Sequence, residues 1–213
     1  MIKGAVFDVD GTLLDSMGIW KSLPAKYLKS KGMTAKENLN DRLYKMSLEE
    51  GAKFLKDNYL PNLSEGEICE GFTQMLKDFY VAEARSKKGA GQLLEYLRQN
   101  GIKMAVATAG VKEYAEIALK REGLLDYFEK IFTCTQVGRG KDCPLIYQRA
   151  ADFLKTAPSE TLVFEDAPYA VKTARDAGFI TVGVFDSVNP SVFEQLKKTA
   201  SRAVYQLCDF RLF

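Results

Sequence analysis

Two aspartates separated by one residue follow the first apolar run of the chain. Asp8 and Asp10 come directly after Ala5-Val6-Phe7 and open the segment DVDGTLLD. Alternate residues of an extended segment point the same way, so both carboxylates can reach one reacting atom. Such a pair can supply a nucleophile and a proton donor, which phosphoryl transfer needs in addition to positioned charge.

Three further strand-like runs also end in polar groups. Thr108-Ala109-Gly110 follows the second run, a glycine-rich loop containing Lys141 follows the third, and Glu165-Asp166 follows the fourth. The carboxyl ends of parallel strands meet at one edge of a sheet, so we expect these groups to converge there. The resulting site would hold several carboxylates, one ammonium group, a hydroxyl and flexible backbone.

A cluster of carboxylates repels itself unless a cation compensates it. Oxygen ligands without histidine or thiolate favour Mg²⁺. A lysine and a threonine beside such an ion suit the oxygens of a phosphate, and glycine-rich backbone can add N–H donors. The pattern therefore indicates a magnesium site that binds a phosphorylated ligand.

The composition excludes several classes of protein. Among 213 residues there is no histidine, which rules out a Ser-His-Asp triad, a His-ligated metal and phosphotransfer through histidine. Thirty Lys and Arg against 28 Asp and Glu leave a net charge of +2. This balance gives no reason to expect a nucleic-acid or membrane partner.

The cysteines and the hydropathy pattern favour a cytoplasmic protein. No C-x-x-C motif occurs, which is typical of reduced thiols in an intracellular protein; the four cysteines are Cys69, Cys134, Cys143 and Cys208. No run approaches the roughly 20 apolar residues of a membrane helix, and the N-terminus lacks a signal sequence. We expect a monomer or a weak homodimer.

Strand and helix patterns alternate from about residue 87 to the end. Near-continuous β-branched and aromatic runs are typical of strands covered on both faces; they are Ala5–Phe7, Lys103–Ala107, Lys130–Thr133, Thr161–Phe164 and Ile180–Val184. Helical spacing separates them, with Gly101, Gly123 and Gly178 near the helix ends. This alternation predicts an α/β fold with a doubly wound, Rossmann-like parallel sheet.

Residues 16–85 lack strand-like runs and instead show helical spacing, as at Trp20, Leu23 and Tyr27. We therefore expect an all-helical cap over residues 16–85 inserted into an α/β catalytic core of residues 1–15 and 86–213. Pro24 should kink or break the first cap helix. An insertion directly after the first strand would lie over the carboxyl edge of the sheet and act as a lid.

These motifs together resemble the haloacid dehalogenase-like hydrolase superfamily. The resemblance is to the branch with a helical cap, close to the β-phosphoglucomutase-like phosphatases, and covers essentially the whole chain. Its four motifs occur in order: DVDGT from Asp8, Thr108 at a strand end, Lys141, and the acidic pair in VFEDAPYAVKTARDAG. The chain departs from the family in Lys141-Asp142-Cys143-Pro144, where Lys-Pro-x-Pro is usual, and in Ala167, where serine is frequent.

The resemblance implies a role for each residue that matches a motif. Asp8 would be the nucleophile that forms an aspartyl-phosphate. Asp10 would protonate the leaving oxygen and then deprotonate the attacking water. The implied Mg²⁺ ligands are Asp8, the backbone carbonyl of Asp10, Asp166 and Glu165, the last directly or through water. The implied phosphate-binding groups are Thr108, Lys141 and the backbone N–H groups of Ala109 and Gly11.

Single residues also have purely structural interpretations. Asp15 or Ser16 can cap the first cap helix, and Thr108 can cap the helix that follows it. Trp20 can pack between cap and core or line a substrate pocket, of which we favour packing.

Within the family, the second aspartate of the first motif favours phosphoryl chemistry over dehalogenation. The related mutases use a cap histidine, which this chain lacks, and an arginine for the second phosphate where our alignment places Leu48. We therefore expect a Mg²⁺-dependent phosphatase acting on a small phosphorylated metabolite such as a sugar phosphate. A sugar-phosphate mutase and a non-catalytic regulator that binds a phosphorylated ligand are the alternatives.

Overall fold

The computed structural model describes residues 1–43 and 46–212. The chain divides into two compact units, one of residues 1–15 and 84–212 and one of residues 16–83. Whether these units act as a catalytic core and a cap stays a prediction.

All strands found in the described part of the chain lie in the first unit: β1 (Gly4–Phe7), β2 (Lys103–Thr108), β3 (Lys130–Thr133), β4 (Thr161–Glu165), β5 (Ile180–Val184) and β6 (Arg202–Val204). The helices of the second unit are α1 (Met17–Ser30), α2 (Leu39–Leu43), α3 (Leu48–Asn58) and α4 (Glu65–Ala82). Those of the first unit are α5 (Ala90–Gln99), α6 (Lys112–Arg121), α7 (Cys134–Val137), α8 (Leu145–Leu154), α9 (Pro168–Asp176) and α10 (Val192–Thr199). The predicted α/β fold with a parallel sheet is confirmed.

The six strands pair in parallel in the order β3-β2-β1-β4-β5-β6. From β1 the chain builds outward to β2 and β3, then crosses back to β4 on the other side of β1. The strand order therefore reverses between β1 and β4, and open α/β sheets bind their ligands at the carboxyl ends of such a pair. The register places Phe7 beside Phe164, so the residues that follow them emerge side by side.

Both faces of the central strands are buried, which explains their unbroken apolar runs. On one face, Val6 and Val163 share a core cluster with Ile146 of α8. On the other, the rings of Phe7 and Phe164 stack with centroids 4.4 Å apart, and Phe210 packs edge-on against Phe164. This packing fixes the last residues of β1 and β4 from both sides.

The chain leaves and re-enters the sheet-containing unit through two adjacent segments. Lys87 N–H donates to the Leu13 carbonyl and Asp15 N–H donates to the Arg85 carbonyl, each at 2.8 Å. Leu14 and Ser86 form an antiparallel bridge between them. The two connections to residues 16–83 thus form one short two-stranded ribbon.

Helix α1 continues through Pro24, so of the two expected outcomes, a kink or a break, the break does not occur. Proline cannot donate a backbone hydrogen bond, and the next amide, that of Ala25, donates to Asn40 Oδ1 at 3.1 Å. Ser47 and Ser64 begin α3 and α4 with capping boxes, in which each serine pairs with the glutamate three residues later. Capping thus defines helix starts that the apolar spacing alone left open.

Several smaller expectations can also be compared with the structure. Trp20 Nε1–H donates to the Tyr80 hydroxyl at 3.2 Å, within the helical unit. All four cysteines are unbridged and half-buried. The sequence also predicts a specificity loop of the cap at residues 45–50; Lys45 lies outside the described residues, whereas Leu48 begins α3. Within the described residues, no helix combines the length and apolar character needed to cross a membrane.

Glycine at position 71 allows the close contact between α1 and α4. A Cβ atom there would overlap Cε2 of Tyr27, whose buried ring packs edge-on against Phe72. Gly71→Ala should therefore lower the free energy of unfolding by about 1–3 kcal/mol, because the ring cannot move without disturbing the core. Gly51→Ala is the matched control, since its Cβ would meet Phe72 at an ordinary 3.7 Å.

Urea denaturation of both variants followed by circular dichroism measures the difference. Gly51→Ala should be neutral or stabilise by up to about 1 kcal/mol, as expected for glycine to alanine inside a helix. Equal effects of the two substitutions would contradict the tight approach of Tyr27 to α4.

Candidate active site

The carboxyl end of β1 continues into a tight loop that carries the two aspartates. Asp8 N–H still donates to the Phe164 carbonyl at 3.0 Å, so Asp8 keeps strand geometry. The chain then turns back on itself, with Leu14 N–H donating to the Val9 carbonyl at 2.8 Å. Gly11 has φ of +84°, a conformation in which a side chain would be strained, and its N–H donates to the Leu14 carbonyl at 2.9 Å. That N–H is therefore engaged within the loop.

Lys141 bridges two buried carboxylates at the ends of β1 and β4. Its ammonium group contacts Asp8 Oδ1 in a very short ion pair and Glu165 Oε1 at 2.6 Å. All three side chains are at least 93% buried. Burial of these groups is tolerated because opposite charges are in direct contact, and removing one partner would leave an uncompensated charge.

Two further donors hold Glu165. The Tyr147 hydroxyl donates to Oε1 at 3.0 Å, and the Ala167 backbone N–H donates to Oε2 at 3.2 Å. Oε1 thus accepts hydrogen bonds from both Tyr147 and Lys141, while Oε2 accepts one from the backbone just before α9. Both oxygens of Glu165 have defined partners.

Asp166 completes a group of three carboxylates. One ligand oxygen from each of Asp8, Glu165 and Asp166 lies within 4.8 Å of the others. Since Lys141 pairs directly with two of the three, the cluster has more carboxyl groups than ammonium groups. This excess of carboxylate over ammonium would be relieved by a bound cation.

The pKa values of these groups reflect that imbalance. Burial raises the pKa of Asp8 to about 7, with Lys141 opposing the rise and Glu165 adding to it. Burial and repulsion by Asp8 and Glu165 raise the pKa of Asp166 to about 9. Burial alone would lower the pKa of Lys141, but contact with Asp8 and Glu165 raises it above its usual range. Lys141 therefore stays charged, but its single positive charge cannot balance three ionised carboxylates.

Thr108 and Asp10 lie on either side of a glycine turn. The Gly110 N–H donates to Thr108 Oγ1 at 2.9 Å. A Cβ atom on Gly110 would lie 3.2 Å from both Thr108 Oγ1 and Asp10 Oδ2. Thr108 therefore stabilises the turn and does not cap α6, because the N-cap residue of α6 is Val111. Glycine at this position leaves room for the Asp10 carboxylate and the Thr108 hydroxyl to approach the backbone closely.

A second ion pair, between a half-buried lysine and a buried aspartate, lies beside this cluster. Lys87 Nζ contacts Asp186 Oδ2 at 2.8 Å and donates to the Phe185 carbonyl at 2.6 Å. Asp186 follows β5 at the same edge of the sheet, and its charge contributes to the raised pKa of Asp166. The pair thus adds to the field that acts on the carboxylate group.

The donor set fits a hard divalent cation. Three carboxylates converge at the strand ends, and no thiolate or imidazole takes part in the group. Oxygen-only coordination by clustered Asp and Glu is the preference of Mg²⁺ and Ca²⁺, and near-octahedral sites with few protein ligands suit Mg²⁺. The residues present are therefore compatible with the expected ion.

The structure brings together most of the side chains expected at the site. Asp8, Lys141, Glu165 and Asp166 form the carboxylate and ammonium cluster, and Thr108 with Gly110 places Asp10 on a second flank. Ala109 lies exposed in the turn between Thr108 and Gly110.

Sequence reasoning missed Tyr147 and the pair Lys87 with Asp186. A buried tyrosine on a helix has the pattern of a core residue, and two charges 99 positions apart share no motif. Only the position of Asp186 just after a strand could have indicated its proximity to the site.

Comparison with known proteins identifies the group to which this arrangement belongs. A family model described as haloacid dehalogenase-like hydrolase matches residues 2–178. Validoxylamine A 7'-phosphate phosphatase of Streptomyces hygroscopicus subsp. limoneus is 30% identical over 86% of this chain and 86% of its own length. Hexitol phosphatase A of Escherichia coli strain K12 is 31% identical over 85% of this chain and 82% of its own.

The solved structures include a similar protein of the same architecture. A putative beta-phosphoglucomutase from Thermotoga maritima aligns with a TM-score of 0.85 and 26% identity over 98% of this chain and 96% of its own. The family match extends over most of the chain and includes all four motif regions. This chain therefore belongs to the haloacid dehalogenase-like hydrolase family.

Proposed function

We propose that the protein is a Mg²⁺-dependent phosphatase that hydrolyses a small phosphate monoester through an aspartyl-phosphate on Asp8. The observation that carries this proposal is the buried contact of Lys141 with Asp8 and Glu165 at the strand-order reversal. Asp8 is a buried carboxylate that shares Lys141 with Glu165 and lies near Asp166. A group of carboxylates like this can bind a negatively charged phosphate only when cations are bound beside it.

The chain's own residues account for each bond and proton. An Asp8 oxygen attacks phosphorus as the bond to the leaving oxygen breaks, and Asp10 gives its proton to that oxygen. Water then attacks the phosphorus while Asp10 takes up a proton, and the bond to Asp8 breaks to release phosphate. Lys141 and Thr108 hold the phosphoryl oxygens, with the Ala109 N–H as a further donor.

Asp8, Asp166, Glu165 and the Asp10 carbonyl would hold the metal ion. When bound, Mg²⁺ supplies positive charge that stabilises the charge on the phosphoryl oxygens. The Gly11 N–H would have to give up its bond to Leu14 before it could also bind phosphate. We therefore assign Gly11 chiefly to the turn that places Asp10.

The substrate class follows from the relatives rather than from the site. Two of them are named as phosphatases, one of validoxylamine A 7'-phosphate and the other of hexitol phosphates. We infer a phosphorylated sugar or polyol as substrate, with residues 1–15 and 86–213 as catalytic core, residues 16–85 as cap and the cytoplasm as location.

Asp8→Asn should abolish phosphate release, lowering kcat by at least about 1,000-fold, because the amide cannot form the covalent intermediate. A malachite-green screen over sugar and polyol phosphates measures this. Asp152→Asn, an exposed change on α8, is the control and should keep full activity. Phosphate release by Asp8→Asn at the wild-type rate would exclude Asp8 as nucleophile.

Removal of divalent metal should abolish activity, and Mg²⁺ should restore it. Asp166→Asn should raise the Mg²⁺ concentration for half-maximal activity about tenfold or more, since it removes a charged ligand. Asp126→Asn, exposed before β3, should leave the Mg²⁺ requirement unchanged. Full activity in EDTA would contradict a metal-dependent mechanism.

A sugar-phosphate mutase is the second candidate, because the similar structure from Thermotoga maritima is that of a putative beta-phosphoglucomutase. Against it stand the absence of histidine and of an arginine at Leu48. With a sugar 1-phosphate and its bisphosphate activator, we expect phosphate release to exceed isomer formation when both are followed by ³¹P NMR. Isomer formation as the faster process would identify a mutase.

A further inference from the structure

Tyr147 lies outside the four motifs, yet it contacts the site. Its side chain is fully buried, and its hydroxyl donates to Glu165 Oε1 at 3.0 Å. The ring belongs to the core cluster beneath the sheet and packs edge-on against Phe179 with centroids 6.2 Å apart. Core packing thus fixes the position of the hydroxyl independently of the carboxylates that it meets.

The contacts form a linear chain from the core to Asp8. Tyr147 bonds to Glu165 Oε1, the same oxygen accepts from Lys141, and Lys141 contacts Asp8 Oδ1. The Ala167 N–H holds the other oxygen of Glu165. Glu165 is therefore restrained at both oxygens, and its orientation determines where the Lys141 ammonium group lies.

The hydroxyl can act in this chain only as a donor. Its partner, the Glu165 carboxylate oxygen, can only accept a hydrogen bond, so the phenol hydroxyl supplies the proton of this contact. A phenylalanine would preserve the ring and its packing but would leave Glu165 Oε1 with Lys141 as its remaining partner. The carboxylate could then turn toward the ammonium group or toward the metal site.

We propose that Tyr147 is a positioning residue that acts through Glu165 to hold Lys141 against Asp8 and to keep the carboxylate group arranged for metal binding. This inference rests on the proposed phosphatase function. Partners that orient ligands in this way typically change metal affinity or activity 10- to 100-fold when they are removed.

Tyr147→Phe should lower kcat/KM about tenfold and weaken Mg²⁺ binding several-fold, as measured by calorimetry on metal-free protein. Tyr127→Phe is the matched control, because its hydroxyl donates to Glu95 at 3.1 Å just before β3, at the opposite edge of the sheet. Both variants should lose similar unfolding stability in urea, but Tyr127→Phe should change neither kcat/KM nor Mg²⁺ affinity by more than twofold.

A double-mutant cycle separates positioning from general packing. In a Glu165→Gln background, adding Tyr147→Phe should change Mg²⁺ affinity by less than twofold, since the group through which Tyr147 acts is already altered. An effect that persists undiminished there, or equal behaviour of Tyr147→Phe and Tyr127→Phe, would overturn the inference. A wild type that binds Mg²⁺ but releases no phosphate would refute the proposed function, while the calorimetric comparison would still decide the role of Tyr147.

Discussion

The in-register pairing of β1 with β4 is the constraint on which the site depends. It places Asp8 and Glu165 side by side, buried, at the point where the strand order reverses. Two carboxylates in that position would repel each other in a medium of low dielectric constant. The contact of Lys141 with both makes the arrangement tolerable, and Asp166 adds a third carboxyl group without a second ammonium group. A stable sheet thus presents a group of carboxylates of the kind that can hold a divalent cation.

Much of this could be predicted from the sequence because the relevant signals are local. Apolar runs predicted five strands, and the residue just after each of four strands indicated where polar groups would meet. The sixth strand, Arg202–Val204, was missed because three residues with one charge carry no pattern that differs from a loop. Thr108 was recognised as a site candidate, but its bond to Gly110 depends on backbone geometry that spacing does not reveal.

Long-range contacts account for the rest. Tyr147 reaches Glu165 only because α8 packs on the face of the sheet where that carboxylate lies, and Lys87 meets Asp186 only after the chain has returned from the helical unit. In the helical unit, Pro24 favoured a kink or a break, yet α1 continues, and Asn40 accepts a hydrogen bond from the amide of the next residue. Tertiary partners in each case override or add to the local preference.

The ribbon formed by Leu13–Asp15 and Arg85–Lys87 has a consequence for how the chain is built. Its two strands are hydrogen-bonded neighbours, so the 68 residues between positions 15 and 84 leave and rejoin the sheet-containing unit at a single place. In topological terms, those residues replace the turn of a β-hairpin. A hairpin loop can vary widely in length while its strands stay paired, because the entropy of closing it rises only slowly with length. Residues 16–83 could therefore become longer, shorter or be exchanged in evolution while the order and register of the six strands stayed the same.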